Sequence, residues 1–294
     1  MQNQTLGIIF SLSAAFFWST SVIMYRKSGD GFSPLSLNFF KSLIAIILLL
    51  PTLYLKEVDF IPDNSINDWL LIIISGILGT ALADSLFFSS LNRIGASLNA
   101  IIGCSYLPCI IIFSYIFLDE ALGFKGLIGG ALVLSALFVS TWHGKRQNID
   151  RKDLIVGIIY GLAGILTMVV GIIMIKGVLL RSDVVWVTLI RTGAALLGLL
   201  VTIILHPQRK KLWLELQPSL IWKWAVPASV GNYLALLFWL AGMKYTMVSL
   251  AAILNQLSAI LIFILAAIFL KEKITTAKSI AVFLALSGAI IATR

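Results

Sequence analysis

Apolar runs of about twenty residues fill most of the chain, separated by short polar connections. A run of that length, wound at 1.5 Å per residue, spans about 30 Å of hydrocarbon. Ten such runs are legible, at 5–25, 34–55, 68–91, 95–117, 122–142, 154–176, 183–205, 220–243, 247–270 and 275–293. The longest polar connections are KEVDFIPDNSIND, HGKRQNIDRKD and HPQRKKLWLELQP, too short for a soluble domain. The pattern predicts an all-α integral membrane protein of ten transmembrane helices. Pro34 suits a helix start, whereas Pro108 and Pro227 lie inside runs and should bend or break their helices.

The second half repeats the first. Gly7 and Gly157 lie 150 positions apart, as do Lys41 in LNFFKSLIA and Arg191 in VTLIRTGAA. IFLDEALGFKGLIGGALVLSALFVS aligns on IFLKEKITTAKSIAVFLALSGAIIA with Glu120 over Glu272. This divides the chain into five-helix units at 1–147 and 148–294. Five is odd, so the second unit enters the membrane from the opposite side. Two inverted repeats are the build of secondary transporters, with the substrate held near the midplane between them.

Composition agrees with the pattern. Apolar residues make up 60% of the 294, charged residues 12%, and mean hydropathy is +1.01. No soluble core of this size hides so much apolar surface, so lipid solvates most side chains. The net charge of +9 is spread over short loops, which excludes nucleic acid as a partner. Loops after the odd-numbered helices carry fourteen of the 22 Lys and Arg, and the other side carries six. By the positive-inside rule this balance favours both termini outside. Cys104 and Cys109 point to different faces of one helix, so neither a disulfide nor a metal site is expected of them. His143 and His206 sit at segment ends beside basic residues and read as interfacial.

Sequence stretches across nearly the whole chain carry a resemblance. They are AAFFWSTSVIMYRK, LNFFKSLIAIILLL, GASLNAIIGCSYLPCIIIFSYIFLDEALGFKGLIGGALVLSALFV and the closing SLAAILNQLSAILIFILAAIFLKEKITTAKSIAVFLALSGAIIA. Together they resemble the drug/metabolite transporter superfamily, of the ten-helix EamA type. The resemblance implies a carrier of small metabolites, often working outward, in the cytoplasmic (inner) membrane. Relatives of this type lean toward the opposite orientation of the termini. Three positions depart from the usual pattern. Ser19 rather than Gly follows Trp18, Lys41 replaces an arginine in the second helix, and Ile260 stands where Pro108 stands in the first half.

Only Lys41, Asp84 and Arg191 place charge deep inside the runs. Lys41 lies about seven residues from the start of helix 2 and Asp84 about seven from the end of helix 3, on the same side, so they share a depth of roughly 10 Å. An ion pair follows, either purely stabilising or able to exchange a proton during transport. Arg191 has no acid at the matching place in its own half. Nearby polarity comes from Thr188, Thr192, Asn232, Tyr233, Asn255 and Gln256. A surplus positive charge so placed fits a carboxylate or phosphate brought by the substrate, unless backbone carbonyls freed by Pro227 satisfy it. Trp18, Phe87, Phe88, Tyr106, Tyr233 and Trp239 are candidates for the cavity wall. The expected substrate-binding set is Arg191, Lys41, Trp18, Tyr106, Asn232, Tyr233, Trp239, Asn255 and Gln256, with Lys41 and Asp84 as ion pair or proton-coupling site. Glu120 and Glu272, at helix junctions, are expected to cap or pair locally.

The leading function is a secondary transporter of a small anionic or zwitterionic metabolite, working by alternating access and directed to efflux. A low-selectivity exporter of amphipathic compounds is the alternative within transport. A membrane enzyme would need clustered nucleophiles, bases or metal ligands. No His pair, carboxylate pair or Gly-rich phosphate loop is present in the runs, so no enzyme, cofactor or metal is expected. A proton or a counter-substrate remains open as the coupling partner. The small-residue faces Gly126/Gly130, Gly157/Gly161 and Ala277/Ala281/Ala285/Ala289 serve either internal packing or a homodimer, so monomer and homodimer both remain open.

Overall fold

A computed structural model describes residues 2–28, 32–141, 150–269 and 276–293, and these are helical almost throughout. In the first half α1 is Gln2–Ser28, α2 Pro34–Leu55 and α3 Ile66–Gly76. A π-helical stretch, Ile77–Leu82, leads into α4 (Ala83–Gly103), followed by α5 (Tyr106–Leu118) and α6 (Phe124–Thr141). The second half holds α7 (Arg151–Arg181), α8 (Val184–Leu205), the short α9 (Arg209–Glu215) and α10 (Trp222–Tyr245). It closes with α11 (Val248–Asn255), α12 (Leu257–Phe269) and α13 (Thr276–Ala292). Among the described residues, six helices are long and apolar enough to cross a bilayer, and four shorter apolar helices complete the ten spans.

Local chemistry marks several helix starts. Ser65 accepts from the Asp68 N–H at the head of α3, Asp150 from Lys152 at the head of α7, and Asp183 from Val185 and Trp186 at the head of α8. Each satisfies backbone donors that the first turn leaves open. Trp186 is fully buried, packs edge-on against Trp69 at 4.9 Å and donates its Nε1–H to the Phe60 carbonyl at 3.0 Å. Large apolar side chains remain exposed along the outer faces, among them Ile47, Leu197, Val201 and Phe283. In a bilayer these are the lipid-facing surface, where exposure of apolar groups costs nothing.

The repeat is visible in the packing. α1 lies along α10, and its counterpart α7 lies along α3 and α4, while α2 against α8 and α6 against α13 pair with their own counterparts. The glycines report the same exchange. A Cβ on Gly7 would strike Tyr245 and Thr246, and one on Gly157 would strike Arg93 and Ile94. Those targets are themselves 152 positions apart. α4 reverses direction along its length. A Cβ at Gly161 would lie 2.9 Å from Ser90 Oγ and 3.0 Å from Ile102 Cγ2. Twelve residues of straight helix would separate those two side chains by about 18 Å. The third and fourth spans are therefore distinct, as the sequence pattern requires.

Breaks inside the fourth and ninth spans fall at matching places, Cys104–Ser105 between α4 and α5 and Gln256 between α11 and α12. Pro108 sits in the first turn of α5, where no intrahelical N–H is missed. The second break has no proline. Pro227 lies inside α10, which runs through it without interruption. Several of the small residues are covered from within the chain. Gly157, Gly161, Gly164 and Gly171 lie against α4 and the π-helical stretch, and Gly129 meets Gly288 where α6 crosses α13. Ala281, Ala285 and Ala289 are buried in a cluster with Ala136 and Leu250.

Candidate functional site

Both halves contribute to one cavity of about 400 Å³ in the middle of the bundle. α1 supplies Trp18, α2 supplies Lys41 and Ser42, and the π-helical stretch supplies Gly79 and Thr80. Asp84 and Phe87 come from α4 and Tyr106 from α5. The second half adds Thr188, Arg191 and Thr192 from α8, and Asn232 and Trp239 from α10. Asn255, Gln256 and Ser258 enter at the α11–α12 break. A break at that point turns helix-end polar groups and side chains toward the space between the halves.

Eight of the nine expected substrate-binding residues therefore line one space: Arg191, Lys41, Trp18, Tyr106, Asn232, Trp239, Asn255 and Gln256. Asp84 joins them. Tyr233 does not: its ring is buried and its hydroxyl is hydrogen-bonded to Thr52. On α10, Asn232 and Trp239 reach the cavity while the neighbouring Tyr233 points into the α2 contact. The side chain of Phe88 lies outside the described residues, as does Glu272.

Lys41 Nζ meets Asp84 Oδ2 at 3.2 Å, and the two side chains keep 16% and 29% of their exposure toward the cavity. Arg191 is far more enclosed, 3% exposed. Its Nε–H donates to Ser75 Oγ at 3.1 Å, and Ser75 in turn donates to the Gly171 carbonyl at 2.6 Å. Its guanidinium lies 5.5 Å from the centroid of the Trp239 ring, within range of a cation–π contact. Among the described residues no carboxylate lies within ion-pair distance of Arg191, and the carbonyls near Pro227 do not bond it. Two cations and one acid line the cavity, a surplus of one positive charge. The Tyr106 hydroxyl and Trp239 Nε1 also lack a hydrogen-bond partner among the described residues.

The ends of α5, α7 and α10 meet on the membrane face that carries the termini. There Lys176, 8% exposed, lies 3.5 Å from Glu120 and donates to the carbonyls of Met243 and Thr246. Glu120 also accepts from the Ser249 N–H at the start of α11. Asp68 pairs with Arg181, and Lys56 with Asp183, at the same face. Sequence reasoning missed the Lys176 contacts because Lys176 stands at the end of its run, where a lysine ordinarily reaches water. Glu120 pairs across the two halves.

The family comparison falls on the same repeats. The model of the EamA-like transporter family matches residues 5–142 and again 155–294. The chain belongs to the EamA-like transporter family. Proteins similar to it include an uncharacterized transporter of Archaeoglobus fulgidus, 24% identical over 270 residues, or 92% of this chain and 91% of that one. The uncharacterized transporter YxxF of Bacillus subtilis is 27% identical over 157 residues, covering 53% of this chain and 41% of that protein. A crystal structure of a protein shares the fold with a TM-score of 0.82 over 97% of this chain and 96% of that one, at 18% identity. EamA membership and transporter relatives make this a multi-pass membrane transporter of the drug/metabolite superfamily, and they point away from an enzyme.

Proposed function

We propose that this EamA-family protein is a secondary carrier of a small anionic or zwitterionic metabolite, moved outward across the cytoplasmic membrane by alternating access. One observation carries the substrate charge. Arg191 is almost wholly enclosed at the cavity wall, yet its protein contacts are a serine hydroxyl and an aromatic face. A charge in hydrocarbon costs roughly 2.5–3.5 kcal/mol even on the lenient insertion scale, so a counter-charge there is worth having. The substrate supplies it. Lys41 and Asp84 line the same cavity, where the carboxylate can receive an ammonium group if the substrate is zwitterionic. Alternating access is supported by an asymmetry. On the face with the termini, α7 is tied to α10 through Lys176. Among the described residues, the symmetry-related α1 makes no comparable packing on α4.

The test is uptake and exchange of labelled metabolites in proteoliposomes, with sidedness set by protease accessibility. Acidic and zwitterionic compounds should be transported and neutral analogues refused. Arg191→Lys should lose at least about tenfold in substrate affinity while keeping its melting temperature, because charge is retained and the bidentate fork is lost. Unchanged affinity with a lowered melting temperature would make Arg191 structural. Equal transport of cationic amphiphiles would favour a low-selectivity exporter.

A further inference from the structure

The guanidinium of Arg191 is fixed on three sides, and what remains free defines how a ligand meets it. Its Nε edge is taken by Ser75, itself fully buried and anchored to the Gly171 carbonyl. Its Cζ lies over the Trp239 ring, 5.5 Å from the centroid. Nη2 fits where Gly79 has no side chain, since a Cβ there would lie 2.6 Å from it. The protein places Ser75 and Gly79 next to and within the π-helical stretch Ile77–Leu82, where one extra residue per turn changes which groups face α8. The end of the fork, Nη1 with Nη2, is left without a hydrogen-bond partner among the described residues.

We infer that Ser75 and Gly79 are positioning residues that present Arg191 end-on, so that the cavity selects a planar terminal carboxylate over a tetrahedral anion. The inference rests on the proposed anionic substrate. A carboxylate matches the Nη1–Nη2 pair with two parallel hydrogen bonds. The unpartnered Tyr106 hydroxyl and Trp239 Nε1 belong to residues lining the same space and add donors for the same group. With the Nε edge closed by Ser75, the fork has no second edge on which to gather a third oxygen.

Gly79→Ala isolates this role. Apart from Arg191, the nearest atom to the new methyl is Gly171 Cα at 3.7 Å, an ordinary contact. The helices need not move, and only the guanidinium is displaced. Gly171→Ala is the packing control, because its methyl meets Gly79 Cα at 3.1 Å and the Ser75 carbonyl at 3.2 Å, which are backbone. Calorimetry on the purified protein in nanodiscs would use acetate, lactate, benzoate and phenylalanine as carboxylates, benzamide as a neutral control and inorganic phosphate. The wild type should bind at least one carboxylate and prefer it to phosphate and benzamide. Gly79→Ala should weaken that carboxylate about tenfold or more with an unchanged melting temperature. The Gly79→Ala/Arg191→Lys pair should bind no more weakly than Arg191→Lys alone, and Ser75→Ala should narrow the preference over phosphate. Full affinity in Gly79→Ala, additive losses in the double variant, or a preference for phosphate would overturn the inference and leave the anionic reading standing. A wild type that binds none of the anions would overturn both.

Discussion

The Lys41–Asp84 pair can be tested by removing its members singly and together. At 3.2 Å two unit charges attract by about 1 kcal/mol in water and about 5 kcal/mol at an effective dielectric near 20. Both side chains keep some exposure toward the cavity, so the coupling should fall between these limits, about 2–3 kcal/mol. Asp84→Leu strands an ammonium group and Lys41→Met strands a carboxylate. Each single change should therefore cost about 2–4 kcal/mol, near the range for breaking an enclosed pair. Lys41→Met with Asp84→Leu removes both charges together with both desolvation penalties, and should recover most of that loss. The assay is a double-mutant cycle of unfolding free energies in one detergent, read by denaturant titration. A coupling below about 0.5 kcal/mol, the level at which independent sites simply add, would refute the pairing. Transport by the double variant answers a separate question. A well-folded protein that no longer transports assigns the pair a working role, and one that transports normally makes it structural.

Lys176→Met should be the most damaging single change at the face with the termini, because it leaves the Glu120 carboxylate enclosed without its cation. A loss of about 3–5 kcal/mol is expected for an uncompensated buried charge, and adding Glu120→Gln should return much of it in the same denaturant assay. Glu215, outside the membrane spans, gives a pH dependence. Burial raises its pKa, but hydrogen bonds from Ser33, whose backbone N–H donates at 2.8 Å, and from Ser36, together with the charge of Lys211, outweigh burial and hold the pKa below the usual value. A depressed folded pKa contributes stability above the unfolded value near 4.3, lost as pH falls through the folded one. Wild-type and Glu215→Gln melting temperatures should therefore differ at pH 7 and converge below about pH 4.

Apolar run length alone determines that this chain crosses a membrane about ten times, because an unpaired backbone has no alternative to helix in lipid. The echo of Gly7 and Lys41 after 150 residues, and of Glu120 after 152, determines the inverted repeat, since an odd number of spans must turn the second copy over. Depth also follows from sequence. Counting residues from a helix end placed Lys41 beside Asp84, and most of the expected polar residues face one cavity. Direction around each helix does not follow. Tyr233 is adjacent to Asn232, yet it faces Thr52 because α10 presents that side to α2. Ser75 and Gly79 carried no signal, since a serine and a glycine in an apolar run read as packing residues until Arg191 is seen between them. Lys176 and Glu120 met for the same reason, through the crossing of α7 with α10 and the return of α5 toward α11. Helix formation and membrane depth are properties of a local segment. Which side of a helix faces which neighbour depends on every other helix in the bundle, and only the tertiary structure decides it.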